Sequence, residues 1–150
     1  MTPLNLPPFQ YKLSGTKEHP MIFDILRYKY VALTPEEWVR QHFTHYLIEH
    51  IGYPRSMMAN EVSMKIGDKK LRADSVVYRK GTLAPAMIIE YKAPSVQLTR
   101  EVLTQIAVYN TLLKVDYLTI TNGITFCVFK LDKESKKYQY QPDIPKYNEL

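Results

Sequence analysis

Apolar residues recur along the chain with two different periods, and the change of period separates predicted helices from predicted strands. After Thr34 they recur three and four positions apart, which is typical of a helix with one face on a core. Thr34 suits the N-cap, Pro35 the first helical position, and Glu37 can close a capping box. The helix should run to about His50 and end at Gly52. Its predicted core stripe comprises Val39, Phe43, Tyr46, Leu47 and His50.

Stretches rich in β-branched and aromatic residues predict the strands of a central sheet. Their predicted ranges are about Met57–Ile66, Lys70–Arg79, Pro85–Lys92, Val115–Thr121 and Ile124–Leu131. A turn at residues 67–69 makes the first pair an antiparallel hairpin, and Asn122-Gly123 is a strong two-residue hairpin signal. Met21–Leu33 predicts one or two further short strands, with Asp24 and Arg27 as a local ion pair.

A second helix is predicted over Leu98–Leu113, between the third and fourth of these strands. Its apolar stripe comprises Leu98, Val102, Gln105, Tyr109 and Leu112, which places Gln105 on the apolar face. This crossover helix makes the next strand pairing parallel. We therefore predict an α/β fold with a mixed central sheet flanked by helices, with residues 1–20 as an extended arm and 21–150 as one domain. The polar tail after Asp132 can add a short edge strand.

Composition agrees with one globular domain. The chain has 150 residues, of which 45% are hydrophobic and 23% charged. No apolar run approaches the roughly 20 residues of a membrane helix, and the N-terminus lacks signal-peptide features, so we expect a cytoplasmic protein. The single cysteine, Cys127, cannot form an internal disulfide and is expected to be a buried, inert thiol. A net charge of +5 is compatible with a polyanionic partner.

Charged residues interrupt two of the predicted core strands. Asp74 lies in the middle of one, and Glu90 and Lys92 end another, on the same face and roughly 7 Å apart along the strand. A half-buried carboxylate is costly unless it is paired or bound to a cation. Two carboxylates at adjacent strand ends suit Mg²⁺, and a lysine beside them can orient or deprotonate water, or stabilise charge on a phosphate. A buried ion pair that only completes the sheet would use the same residue types, and the spacing alone does not separate the two.

Two further groups of residues are candidates for contacts with a nucleic acid. Basic residues cluster around the ends of the Asp74 strand, as expected of phosphate contacts, although solvated strand edges carry similar charges: Lys69, Lys70, Arg72, Arg79 and Lys80. Gln105 and Tyr109 are one helical turn apart, so they point the same way and can contact a nucleotide or order the neighbouring strand. A core glutamine with satisfied hydrogen bonds is the alternative for Gln105.

Asp74, followed by Glu90-x-Lys92 at the end of an apolar strand, resembles the PD-(D/E)XK nuclease signature, with Ala73 where the signature commonly has proline. Gln105-x-x-x-Tyr109 resembles the QxxxY element of its RecB-like and type I restriction branches. Further segments are similar to the N-terminal nuclease domain of type I restriction enzyme R subunits, in a short, stand-alone form. They are residues 22–30, 34–41, 90–94 and 121–123, within a similarity that covers roughly residues 20–131.

The resemblance implies a restriction-endonuclease-like core. It also implies an endonuclease that acts on DNA and depends on Mg²⁺, with Mn²⁺ as an alternative cation. It makes Asp74 and Glu90 metal ligands and Lys92 the catalytic lysine. Glu37, or Glu36, matches an acidic helix residue that acts as an outer partner of the site, whereas without the resemblance both would only complement the helix dipole. It also implies restriction-modification or helicase subunits as partners, since the chain has no Walker-type GxxxxGK[ST] of its own. The alternative is a non-catalytic module that binds nucleic acid and assembles with such subunits.

Overall fold

The computed structural model describes residues 1–150 of the chain. They form nine β-strands and two α-helices. The strands are β1 (Leu13–Gly15), β2 (Pro20–Asp24), β3 (Lys29–Ala32), β4 (Met58–Ile66), β5 (Lys69–Tyr78), β6 (Pro85–Tyr91), β7 (Tyr117–Thr121), β8 (Phe126–Asp132) and β9 (Lys137–Gln141). The helices are α1 (Pro35–Tyr46) and α2 (Arg100–Thr111). None of the helices is long and apolar enough to cross a membrane.

The main sheet has six strands in the order β4-β5-β6-β7-β8-β9. Neighbouring strands are antiparallel except β6 and β7, which are parallel and are joined through α2. A parallel pair needs such a crossover, because a short turn cannot return the chain to the same end of the sheet. The predicted α/β fold with a mixed central sheet and flanking helices is confirmed, as is the short edge strand in the tail.

Helix α1 begins and ends at the predicted positions, but its predicted capping box is only half formed. The Glu37 carboxylate binds Arg27 and Arg40 instead, and the Thr34 amide donates to the carbonyl of Ala32 at 3.1 Å. The hydroxyl oxygen of Thr34 accepts a hydrogen bond from the Glu37 amide at 3.0 Å, and the helix continues through a π-helical turn (Leu47–Ile51) to Gly52. Gly52 has φ of 91°, a left-handed conformation that glycine adopts without steric cost. Three residues of the predicted stripe are fully buried in the first hydrophobic core, namely Val39, Phe43 and Leu47. Tyr46 is half-buried and His50 is exposed, so the stripe ends earlier than predicted.

Helix α2 packs against a second hydrophobic core, on the other side of the main sheet from α1, but with a different face from the one predicted. Leu103, Ile106 and Ala107 pack against the second core cluster, which includes Ile88 and Leu118. Gln105 and Tyr109 are exposed instead, so the predicted placement of Gln105 on the apolar face is wrong. Both stripes satisfy the helical period, but the observed one is entirely aliphatic, whereas the predicted one contains Gln105 and Tyr109.

The N-terminal arm lies along the body, and its end forms β1 of a small antiparallel sheet, β1-β2-β3. The Asn5 amide donates to the carbonyl of Gly123 at 2.8 Å, and the Trp38 indole donates to the carbonyl of Thr2 at 3.0 Å. Leu4 packs against the first core and lies over Gly123, where an added Cβ would approach its side chain to 2.8 Å. Residues 1–12 form no helix or strand, whereas Leu13–Gly15 of the predicted arm is a strand. The division of the chain into an arm (1–20) and one domain (21–150) stays a prediction.

The loop between β7 and β8 differs from the predicted two-residue hairpin. It has four residues, and the Asn122 side-chain oxygen accepts hydrogen bonds from the amides of Ile124 and Thr125, each at 2.9 Å. The asparagine therefore caps a wider loop through its side chain, an arrangement that asparagine also favours in turns.

Candidate functional site

Strands β5 and β6 place Asp74 and Glu90 side by side. Their ladder pairs Ser75 with Ile89, so Asp74 and Glu90 face each other at its end. Beyond the ladder, the backbone amide of Tyr91 donates to Asp74 Oδ2 at 2.9 Å, which fixes that carboxylate against β6. Lys92 follows directly, and its Nζ lies 3.6 Å from Glu90 Oε1. The three residues that the sequence singled out therefore converge where the ladder between β5 and β6 ends.

The two carboxyl groups repel each other in partly buried surroundings. Burial, followed by the negative charge of Asp74, raises the pKa of Glu90 to about 7, and the ammonium of Lys92 offsets only part of this rise. Burial also raises the pKa of Asp74, with the Tyr91 amide acting in the opposite direction. The pair consequently carries two full negative charges only at a cost, which a cation placed between them would lower.

Glu37 lies on the first turn of α1 and is bound to basic groups. One carboxylate oxygen accepts from Arg27, and the other accepts from Arg40 Nε at 2.8 Å and from Gln41 Nε2 at 3.3 Å. The predicted ion pair between Asp24 and Arg27 is present, so Arg27 bridges two carboxylates. Glu37 is connected to Asp74 only through Arg40, and Glu36 is exposed. An outer role for Glu37 stays a prediction, and it would act through that arginine.

Two residues near Asp74 were missed by the sequence reasoning. Arg40 Nη1 donates to the main-chain carbonyl of Asp74 at 2.8 Å, and Arg40 Nη2 donates to Glu61 Oε1 at 2.6 Å. Glu61 lies opposite Asp74 in β4, and its φ of 57° is unusual for a non-glycine residue in a strand. The spacing of Arg40 three residues after Glu37 was a visible signal. Nothing in the sequence marks Glu61, because its partners come from other elements.

A family model described as "Type I restriction enzyme R protein N terminus" matches residues 35–145. The chain belongs to this family. The match runs from the first residue of α1 to just beyond β9 and includes Asp74, Glu90 and Lys92. Membership is consistent with a nuclease-related module of a restriction enzyme, and the mixed sheet is compatible with a restriction-endonuclease-like core. Among curated proteins, none matches the chain.

The donor atoms at the site of this R protein family member fit a hard divalent cation. The chain contains no group of three or more His, Cys, Asp or Glu side chains arranged to bind a metal, so the donor set is the facing pair Asp74 and Glu90. Mg²⁺ usually binds to one or two protein carboxylates and keeps several waters. The side chain of Glu90 is 23% exposed, so water can reach its carboxylate. The pair of carboxylates, each with a raised pKa, therefore suits Mg²⁺ or Mn²⁺.

The remaining predicted residues do not bond to Asp74, Glu90 or Lys92. Gln105 and Tyr109 are exposed on α2. Lys69 and Lys70 are exposed at the start of β5, and Arg72 is exposed but pairs with Glu61. Their proposed contacts with DNA stay predictions.

Proposed function

We propose that this chain is a Mg²⁺-dependent phosphodiester hydrolase of the endonuclease type that acts on DNA. One observation carries the proposal. Asp74 and Glu90 face each other on adjacent strands with Lys92 Nζ 3.6 Å from Glu90, in a chain that belongs to the type I restriction enzyme R protein family. A module that only bound DNA would gain nothing from two carboxylates directed at phosphate, because like charges repel.

The roles follow from the chemistry of each group. Asp74 and Glu90 would bind Mg²⁺ or Mn²⁺ through carboxylate oxygens. When bound, such an ion supplies Lewis-acid stabilisation of negative charge on the phosphate. Lys92 carries a positive charge beside Glu90, so its ammonium can orient the attacking water or stabilise the charge that develops on the phosphate oxygens. The Tyr91 amide binds Oδ2 of Asp74 and so fixes that carboxylate beside Glu90.

Binding of DNA would rest on basic side chains near the site. Lys69 and Lys70 are exposed at the turn between β4 and β5, on the strand that carries Asp74, and the chain has a net charge of +5. Lysines at such a position can contact phosphates without reading bases, so weak sequence preference is expected. Other restriction-modification or helicase subunits are the proposed protein partners, in keeping with the family.

The test is cleavage of supercoiled and linear DNA by the purified protein with Mg²⁺, Mn²⁺ or EDTA. Wild-type protein should cut only with a divalent cation. Lys92→Ala should abolish cleavage and leave DNA affinity nearly unchanged, since one cation among many adds little to binding. Lys133→Ala, which removes an exposed lysine between β8 and β9, is the matched control and should cut like wild type.

Two results would count against the proposal. Full activity of Lys92→Ala would remove Lys92 from the mechanism. Salt-sensitive DNA binding by wild-type protein with no cleavage under any metal condition would favour the alternative, a non-catalytic module that binds nucleic acid and depends on partner subunits.

A further inference from the structure

Arg40 is a buried cation whose guanidinium is bonded on three sides. Its side chain is only 9% exposed. Nε donates to Glu37 at 2.8 Å, Nη1 to the carbonyl of Asp74 at 2.8 Å, and Nη2 to Glu61 at 2.6 Å. The ring of Tyr91 lies beside it, with its centroid 5.7 Å from the guanidinium carbon. One side chain of α1 thus contacts β4 and β5 and the ring of the residue that follows Glu90.

Each carboxylate partner of Arg40 is itself fixed by a second arginine. Glu37 also accepts from Arg27, and Glu61 also pairs with Arg72. Burial opposes ionisation of Glu61, but the hydrogen bonds and charges of Arg40 and Arg72 outweigh it and lower the pKa of Glu61. The five residues form a chain of alternating charge beneath the site, here termed the arginine–carboxylate chain. Its middle member is Arg40.

The contact with Asp74 is made at the main chain, which distinguishes it from an ordinary ion pair. Arg40 binds the Asp74 carbonyl, while the Tyr91 amide binds the Asp74 carboxylate. Together these two bonds restrict both the backbone and the side chain of Asp74 where the ladder with β6 has ended. Glu61, opposite Asp74, has the left-handed φ of 57°, and its bonds to Arg40 and Arg72 stabilise that conformation.

We propose that Arg40 is a positioning residue: it fixes Asp74 for cation binding through the main-chain carbonyl, with Glu37 and Glu61 as its anchors. The inference rests on the proposed function in one respect, namely that Asp74 and Glu90 bind a divalent cation. Arg40 itself would touch neither cation nor DNA, because its guanidinium is buried and already bonded on three sides. The bond to Arg40 also gives Glu37 a defined role, which is to orient Arg40 rather than to bind the metal.

The fork of the guanidinium makes the proposal testable with a charge-conserving change. Lysine keeps the positive charge but has one nitrogen, so it cannot reach Glu37, Glu61 and the Asp74 carbonyl in the fixed directions that arginine uses. A purely electrostatic role would survive Arg40→Lys, whereas a positioning role would not. Arg79→Lys is the matched control, because Arg79 Nη2 binds Asp116 at 2.9 Å, and neither residue belongs to the arginine–carboxylate chain.

The experiment measures Mn²⁺ affinity of the metal-free protein at pH 8 without DNA, from the electron paramagnetic resonance signal of free Mn²⁺. Arg40→Lys should bind Mn²⁺ roughly 10- to 100-fold more weakly than wild type, the usual effect of losing a residue that orients a metal ligand. Glu61→Gln, which keeps the shape but weakens the hold on Arg40, should show a smaller loss in the same direction. Arg79→Lys should bind as wild type does.

Unchanged Mn²⁺ affinity in Arg40→Lys, with or without lower stability, would overturn the positioning role. If circular dichroism shows that Arg40→Lys does not fold, the decision passes to Glu61→Gln, and wild-type affinity there would overturn it. An equal loss in Arg79→Lys would also overturn it, because the effect would not be local. Wild-type protein that binds no Mn²⁺ would instead remove the proposed metal site, and the positioning role with it.

Discussion

Replacing Glu90 with Gln should stabilise the metal-free protein, and should do so only at neutral and alkaline pH. Glutamine keeps the shape of the side chain and removes its charge. The pKa of Glu90 is about 7 in the folded protein against an ordinary value of 4.5, because its charge is partly buried and faces Asp74. The folded wild type therefore keeps a proton that the unfolded chain releases, and its stability falls as the pH rises from about 4.5 to about 7.

The expected size follows from that difference. A pKa difference of one unit corresponds to about 1.4 kcal/mol, so ionising Glu90 costs the folded wild type at most about 3 kcal/mol above pH 7. Glutamine avoids this cost. The pairing with Lys92 at 3.6 Å already lowers the pKa of Glu90, so its loss is included in this figure. Glu90→Gln should consequently raise the free energy of unfolding by up to about 3 kcal/mol at pH 8.

Urea unfolding in EDTA at pH 4, 6 and 8 measures the effect. At pH 4 the carboxyl is protonated in both folded and unfolded wild type, so the two proteins should be equally stable, and the gain should grow between pH 5 and pH 7. Glu134→Gln, at an exposed carboxyl between β8 and β9, should give no such trend and serves as the control. The electrostatic reasoning would be refuted if the difference in unfolding free energy between Glu90→Gln and wild type were the same at pH 4 and pH 8. It would also be refuted if the variant were less stable than wild type at pH 8.

Three other measurements test the site and the fold. Asp74→Asn should raise the melting temperature of metal-free protein, since it removes one of two facing charges. It should also lose most of the stabilisation that millimolar Mg²⁺ or Mn²⁺ gives wild type. If Asp74→Asn is less stable than wild type without metal, yet gains as much stability from metal, Asp74 is a structural ion-pair residue. DNA affinity should fall steeply with salt, and replacing Lys69 and Lys70 together by Ala should reduce the slope of log affinity against log salt by about 2, whereas an affinity independent of salt would contradict phosphate contacts. Gly123→Ala should lower stability by about 1–3 kcal/mol in urea unfolding, because φ is 82° and the new Cβ would meet Leu4. Wild-type stability of this variant would contradict both the backbone strain and the clash with the arm.

Local signals in the sequence were sufficient for most of the fold. Thr34, Pro35 and Glu37 act within one helical turn, so the start of α1 was readable, and the turn before β5 fixed the register of the hairpin that carries Asp74. The face of α2 was not readable in the same way. Two overlapping stripes share the helical period, and only the sheet beneath the helix decides that Ile106 rather than Gln105 is in the core.

The residues of the site also differ in whether local signals could predict them. Asp74, Glu90 and Lys92 could be predicted because charges within apolar strands are conspicuous, and because side chains alternate along a strand, which shows the face that each residue occupies. Glu61 could not, because its partners lie on different elements and no spacing rule connects them. Arg40 is spaced to pair with Glu37 on the same helix, but its contacts with Glu61 and with the Asp74 carbonyl join different elements. The left-handed backbone of Glu61 has no signature in the sequence either, since it depends on bonds to two arginines that come from α1 and β5.

The contact of the arm with the loop after β7 bears on how the chain folds during synthesis. Asn5 binds the carbonyl of Gly123, so the two ends of this contact are separated by most of the chain. At the usual 5–20 residues per second, a ribosome needs roughly 6–24 s to proceed from one to the other. Until then Leu4 and its neighbours have no loop to cover and remain available to other apolar surfaces. The contacts of Leu4 and Asn5 with this loop must therefore form late, whereas Thr2 can meet Trp38 of α1 much earlier in synthesis.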